Sequence, residues 1–263
     1  MRICRVAIDD GLFFGLIEGL DEQGRVTDGT LIALIEGHPF GELVPEGRLV
    51  RPEDVRFVAP VLPSKVVAVG RNYVDHAKEL GNEVPTSPMI FLKPSTAVIG
   101  PGEPIVLPWQ SERVDHEAEL AVVIGRMCRD VPIERVGDVI LGYTCANDVT
   151  ARDLQKVDAQ WGRAKGFDTF CPLGPWITTD LDPEDAQLTG SVNGAVRQAA
   201  STSDMVFGVP ELISWITSVM TLLPGDVILT GTPAGIGPLS AGDEVSVTVT
   251  GIGTLTNPVV DHG

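Results

Sequence analysis

The sequence predicts a mainly β protein with a few short helices, arranged as a small N-terminal β-rich unit (residues 1–60) and a larger unit (residues 61–263). Three observations carry this. The 29 glycines and 20 prolines among 263 residues require many turns, which leaves room for short strands rather than long helices. The apolar runs are brief and rich in β-branched residues, as in Val66-Val67-Ala68-Val69 and Ala121-Val122-Val123-Ile124. The stretch Ala59-Pro60-Val61-Leu62-Pro63 separates the two units, and the chain is long enough to give the larger one a sizeable core.

Charge and cysteine usage exclude several function classes. A formal net charge of -17, with no Lys/Arg cluster to offset it, repels nucleic acid. Any anionic substrate must then rely on a metal or on a few placed cations. Cys4, Cys128, Cys145 and Cys171 lie far apart with no C-x-x-C spacing, so neither a zinc cluster nor a disulfide framework is expected. The N-terminal residues lack an apolar signal core and no stretch approaches membrane-spanning length, so a cytoplasmic protein with no membrane partner is expected.

In the first unit, residues 2–8 and 12–17 read as strands joined by a turn at Asp9-Asp10-Gly11. Residues 31–36 fit helix or strand. Nothing there carries chemistry, and His38, between Gly37 and Pro39, reads as a loop residue. Residues 65–70 form an apolar strand that runs into helical turns over 71–81, stopped by Gly81. His76 and Glu79 share a face of that helix. Either the carboxylate orients the imidazole as a general base, or the helix is an ordinary solvated one. Residues 81–88 read as loop, and a short helix flanked by loop suits a mobile lid. Residues 89–100 return to strand, and Lys93 within that run is either snorkelling or aimed at an anion.

The acidic stretch 115–125 reads as one strand. Period-two alternation puts Glu117 and Glu119 on one face roughly 7 Å apart. Two like charges at that distance repel by about 2 kcal/mol at an effective dielectric near 20. Protonation of one, pairing with Arg or Lys, a divalent cation, or plain solvation would each answer this. Residues 131–139 are a short helix candidate. The strand 140–146 ends at Asn147-Asp148, and Thr150 with Asp153 resembles a capping box for a helix beginning there. Asp148 is then a turn residue, or a third carboxylate completing an all-oxygen site for Mg²⁺ or Mn²⁺.

Residues 161–176 form a Gly/Pro-rich aromatic loop with Lys165 inside it. Residues 191–199 read as a hairpin around Asn193-Gly194. Residues 210–223 are the clearest helix, with Leu212, Ile213, Ile216, Val219, Met220 and Leu223 as its apolar stripe. The loop 230–238 is glycine-rich but lacks a P-loop ending. Its amides could hold a carboxylate, or it is a plain turn.

Taken in order, these pieces resemble the fumarylacetoacetate hydrolase family. The resemblance rests on Val69-Gly70-Arg71-Asn72-Tyr73 with His76 and Glu79; Phe91-Leu92-Lys93-Pro94; His116-Glu117-Ala118-Glu119-Leu120; Asn147 to Asp153; Ala164-Lys165-Gly166; and Leu229-Thr230-Gly231-Thr232-Pro233. It covers roughly residues 62 to 263, and the first unit is similar in size and place to the small N-terminal domain of short bacterial members. The resemblance implies a mixed β-sheet roll and a homodimer. It implies that Glu117, Glu119 and Asp148 bind Mg²⁺ or Mn²⁺, that His76 and Glu79 lie on a lid, and that Lys165 is the active-site lysine. Arg71, Tyr73, Lys93, Gln155 and Thr232 become substrate-contact candidates. The implied substrate is a small dicarbonyl acid. Hydrolysis of an acylpyruvate is the first expectation, oxaloacetate decarboxylation the second, and the isomerase/decarboxylase step of homoprotocatechuate breakdown the third. A non-catalytic metal-binding scaffold is the rival from another class; it would lose nothing measurable in His76→Ala.

Overall fold

The computed structural model describes residues 1–9, 11–21 and 24–263; Asp10, in the middle of the expected 9–11 turn, lies outside them. The longest sheet begins at the N-terminal strands. Pro45–Val50, Leu31–Ile35, Gly11–Glu18 and Arg2–Ile8 are successive antiparallel neighbours. Arg2–Ile8 pairs with Cys171–Thr178, and the sheet continues through Ile140–Asn147, Ala118–Ile124, Val227–Leu229, Val66–Gly70 and Met89–Lys93. The first sixty residues thus extend a sheet built mostly by the rest of the chain.

A five-stranded sheet, in the order Ala195–Ser201, Gln187–Val192, Glu244–Val249, Gly253–Asp261 and Ile105–Leu107, packs against one face of the long sheet. A small third sheet joins Thr150–Ala151, Val114–His116 and Gly237–Pro238. Alternation along Ala118–Ile124 shows the layering. Leu120, Val122 and Ile124 pack in one core cluster with Leu188 and Val247, while Ala121 and Val123 pack on the other face with Ile177 and Leu229. A strand covered on both faces reads as a continuous apolar run, which is why the residues after Glu119 show no polar alternation.

The mainly β class and the mixed sheets match the expectation, and residues 31–36 resolve as strand. Five details differ. The expected loop over 161–176 contains a short helix, Gly162–Lys165, and the start of the strand Cys171–Thr178. Residues 131–139 form a 3₁₀ helix, Ile133–Asp138, rather than an α-helix. The clearest helix spans Val209–Val219 and stops short of Leu223, because Leu222 exchanges backbone hydrogen bonds with Cys128 and is pulled out of helical geometry. The capping box at Thr150 does not form. Asp153 instead accepts from Ser111 Oγ (2.5 Å) and the Glu112 amide (3.0 Å), and Thr150 Oγ1 donates to the Asp148 carbonyl. The acidic strand is broken at Glu117. All four cysteines are buried and free. Among the described residues, no helix is long and apolar enough to cross a membrane.

Candidate metal and substrate site

Glu117 sits where the chain leaves the small sheet at His116 and enters the long sheet at Ala118. Its amide donates to Asn147 Oδ1 (2.9 Å), and its carbonyl accepts from the Asp148 amide (2.9 Å). The two loop junctions therefore hold each other. The register Ala118↔Asn147 between neighbouring strands brings Asp148 beside the acidic pair. Ligand oxygens of Glu117, Glu119 and Asp148 all lie within 4.8 Å of one another, and all three residues are buried.

Cations surround this cluster unevenly. Lys165 Nζ donates to Glu117 Oε2 (2.7 Å) and Asp148 Oδ2 (2.5 Å). Lys93 Nζ donates to Asp148 Oδ1 (2.5 Å). Arg152 donates to Glu117 Oε1 (2.5 Å), Asp115 Oδ2 (3.0 Å) and Gln155 Oε1 (2.5 Å). Glu119 has no cationic partner among the described residues; its Oε2 accepts from the Gly231 amide (2.6 Å). Burial opposes ionisation of Glu117, but the charges of Lys165 and Arg152 outweigh it and hold that carboxyl below its ordinary value. Burial pushes Glu119 well up, and the charges of Asp148 and Glu117 push it further. Burial disfavours the charged form of Lys165, yet Asp148 and Glu117 more than compensate, so it stays an ammonium.

This donor set fits a hard divalent cation. It offers three converging carboxylates, of which Glu119 is the one without an ion-pair partner among the described residues, and such oxygen sets suit Mg²⁺ or Mn²⁺.

The loop that holds Glu119 is built around glycine. Gly231 has φ +100°, and a Cβ there would fall 2.7 Å from Asn72 Cβ. Asn72, fully buried, clamps the loop by donating to the Thr230 carbonyl (2.7 Å) and pairing with the Phe207 backbone.

A cavity of about 260 Å³ opens onto the three carboxylates. Lys165, His76, Arg71, Gln155 and Thr232 border it, as do Asn82, Lys156, Phe91 and Trp161. His76 is buried rather than solvated. Its Nδ1 lies 3.3 Å from Glu79 Oε2, and Glu79 Oε1 accepts from the Gly235 amide (3.0 Å), so the helix Val74–Glu79 is docked over the cavity. Arg71 adopts φ 58°, a left-handed conformation that costs a non-glycine residue roughly 1–2 kcal/mol. Neither Arg71 nor Lys156 makes an ion pair among the described residues.

Two candidates do not line this cavity. Lys93 is fully enclosed behind Asp148 and does not reach the cavity. Tyr73 borders a separate cavity beside Asp75 and Asp204, with its hydroxyl buried and unpartnered. Sequence reasoning gave no role to Arg152, Asp115, Trp161 or Gln198. The signal for Arg152 was the excess of acids at 115, 117 and 119, which Arg113 alone does not balance.

The family model described as fumarylacetoacetate (FAA) hydrolase C-terminal matches residues 65–260. The chain belongs to the fumarylacetoacetate hydrolase family. A second model, Rv2993c-like N-terminal, matches residues 1–60 of this family member. Protein Rv2993c of Mycobacterium tuberculosis is 55% identical over 100% of this chain and 99% of its own length. A crystal structure described as 5-carboxymethyl-2-hydroxymuconate delta-isomerase from Mycobacterium smegmatis is 55% identical, covers 100% of both chains and superposes with a TM-score of 0.92. The mitochondrial oxaloacetate decarboxylase of Dictyostelium discoideum is 45% identical over 72% of this chain and 90% of its own length.

Proposed function

We propose that this family member is a divalent-metal-dependent enzyme that decarboxylates oxaloacetate or a closely similar 2-oxo dicarboxylic acid. The observation that carries the reading is the buried trio Glu117, Glu119 and Asp148, with Lys165 bridging two of them, at the floor of a small cavity. The cavity, about 260 Å³, suits a small molecule. The named activity of the Dictyostelium relative points the same way.

A divalent cation held by Glu117, Glu119 and Asp148 would supply Lewis acidity to a chelating 2-oxo carboxylate. Arg71 and Lys156, cationic and without ion-pair partners at the rim, attract the dianionic substrate, and the second carboxylate, β to the oxo group, is the one that leaves as CO₂. As the C–C bond breaks, CO₂ leaves and the bonding electrons move toward the 2-oxo oxygen. The Lys165 ammonium stabilises that developing negative charge. His76, oriented through Nδ1 by Glu79, then delivers a proton to the enolate carbon, giving pyruvate.

Acylpyruvate hydrolysis is the second reading. The His76–Glu79 pair beside the cavity favours it, since a neutral imidazole there could take a proton from an attacking water. A homodimer is also part of the proposal, and light scattering of the purified protein checks it. Turnover of oxaloacetate and acetylpyruvate, side by side with Mn²⁺ or Mg²⁺ and with EDTA, tests the reaction. Metal-dependent pyruvate and CO₂ from oxaloacetate alone support the first reading. Acetate from acetylpyruvate moves the second to first place. Inertness toward both rejects both readings.

A further inference from the structure

We propose that Gln198 is a positioning residue that locks the loop of Thr232 and Pro233, and through Gly235 the His76–Glu79 pair, onto the carboxylate cluster. The assignment rests on the reading of that cluster as the reaction centre. Gln198 lies on the strand Ala195–Ser201, at the edge of the five-stranded sheet. A hairpin edge is where solvated residues belong, and Arg197 and Ala199 beside it are exposed, yet Gln198 is 0% exposed.

Every hydrogen-bonding position of its amide is used. Oε1 accepts from the Ala118 amide (2.9 Å) and from His116 Nδ1 (3.0 Å). Nε2 donates to Thr232 Oγ1 (2.7 Å) and to the Pro233 carbonyl (2.8 Å). The Ala118 N–H and the Pro233 carbonyl fix which end is oxygen; a flipped amide would meet a donor with a donor and an acceptor with an acceptor. His116 Nδ1 is therefore a donor here.

Those four contacts reach three parts of the site. His116 and Ala118 flank Glu117 and set its kink. Thr232, which borders the cavity, accepts from Gln198 and donates its own proton to the Ala118 carbonyl (2.8 Å). Gly235, whose amide holds Glu79, lies against the same side chain: a Cβ there would sit 3.3 Å from Gln198 Cγ and 2.0 Å from the Arg197 carbonyl oxygen. The facing strand leaves space for the amide with Gly190, where a Cβ would fall 2.8 Å from Gln198 Oε1. One neutral side chain thus connects the junction carrying Glu117, the loop carrying Thr232 and the backbone amide that holds Glu79, the partner of His76.

Gln198→Met keeps the length and removes all four bonds. Thr232→Val removes the bond from Gln198 Nε2 to Thr232 Oγ1 and the bond from Thr232 Oγ1 to the Ala118 carbonyl, and leaves Gln198 bonded to Pro233, His116 and the Ala118 amide. Amide hydrogen exchange, read by mass spectrometry on the whole protein without substrate, separates them. Gln198→Met is expected to speed exchange in 114–120, 229–238 and 74–82, with residues 2–18 unchanged. Thr232→Val is expected to do so in 229–238 and 74–82 only. In parallel, kcat/KM on the substrate found for the wild type should fall about 10- to 100-fold in Gln198→Met, the range seen when groups supporting an active-site ligand are removed. Should Gln198→Met fail to fold, Gln198→Glu, which keeps the two acceptor contacts and removes the Nε2 donor to Thr232 and Pro233, is read in the same exchange assay. Wild-type exchange in 229–238, or acceleration spread evenly over the chain, overturns the proposal. A wild type that binds no Mn²⁺ and turns over nothing rejects the reaction-centre reading, whereas the exchange pattern still decides what Gln198 holds.

Discussion

Glu119→Gln is expected to make the metal-free protein more stable while removing the stabilisation that metal confers. The reason is the proximity of three carboxylates. Oxygens no more than 4.8 Å apart repel by about 3.5 kcal/mol or more per pair at an effective dielectric near 20, so an ionised Glu119 faces about 7 kcal/mol from Glu117 and Asp148 together. Protonating a carboxyl of ordinary acidity at pH 7.5 costs about 4 kcal/mol. Burial and the charges of Asp148 and Glu117 push Glu119 well up and outweigh Lys165 and the Gly231 amide, which pull the other way, so the protonated form is favoured. A folded-state carboxyl whose pKa is raised contributes fully below its unfolded value, near pH 4.3, and loses that contribution as pH rises toward the folded value. Metal-free stability should therefore fall above about pH 5, by about 1.4 kcal/mol per pH unit. The side-chain amide introduced by Glu119→Gln is neutral at every pH and keeps the acceptor for the Gly231 amide. If half or more of the 4 kcal/mol is recovered, the melting temperature in EDTA at pH 7.5 rises by roughly 5–15 °C. Mn²⁺ at a thousand times its Kd stabilises the wild type by about 4 kcal/mol, and the variant should lose most of that gain. Thermal melts from pH 5 to 8.5, in EDTA and in Mn²⁺, read both effects. A variant less stable than wild type in EDTA that still gains from Mn²⁺ would refute the reasoning.

Other expectations follow from single contacts. His76→Gln should lower turnover by about 10²- to 10⁴-fold while Mn²⁺ binding, followed by calorimetry, stays intact. Lys165→Met removes the ammonium that faces the developing charge and should cost about 10²- to 10³-fold in kcat at saturating Mn²⁺; equal kcat would remove Lys165 from the chemistry. Gly231→Ala combines an unfavourable φ with a 2.7 Å approach to Asn72 Cβ, and denaturant melts should show a loss of about 1–3 kcal/mol or more. Burial pushes the thiols of Cys4, Cys145 and Cys171 up to about 12. None should be alkylated in the native state at pH 8. Because thiols raised in the folded state lose their stabilising contribution above the unfolded value near 8.5, the three together should destabilise the fold by about 4 kcal/mol per pH unit beyond pH 9.

Much of the fold could be read from local pattern. The β-branched runs gave the central strands, and Asn193-Gly194 gave the hairpin between Gln187–Val192 and Ala195–Ser201. The stripe Leu212, Ile213 and Ile216 gave the one long helix. Features set by contacts distant in sequence could not be read this way. The break at Glu117 depends on Asn147, and the early helix end depends on Cys128. In the site, the residues alone left the three acids open between solvation, pairing and a metal and gave Lys165 no role; the ordered resemblance to the family singled them out. Lys93 stood out within its apolar run, but its direction was not legible: it turns inward to Asp148. Gln198 gave no signal at all, since a glutamine on a hairpin strand is ordinary until Gly190, on the facing strand, opens the space that buries it.

The most direct test of the metal-site claim is anomalous diffraction from crystals equilibrated with Mn²⁺. A manganese peak within bonding distance of carboxylate oxygens from Glu117, Glu119 and Asp148 is the expected result. A fully ordered site with no peak among those oxygens, or manganese bound only elsewhere, would contradict it.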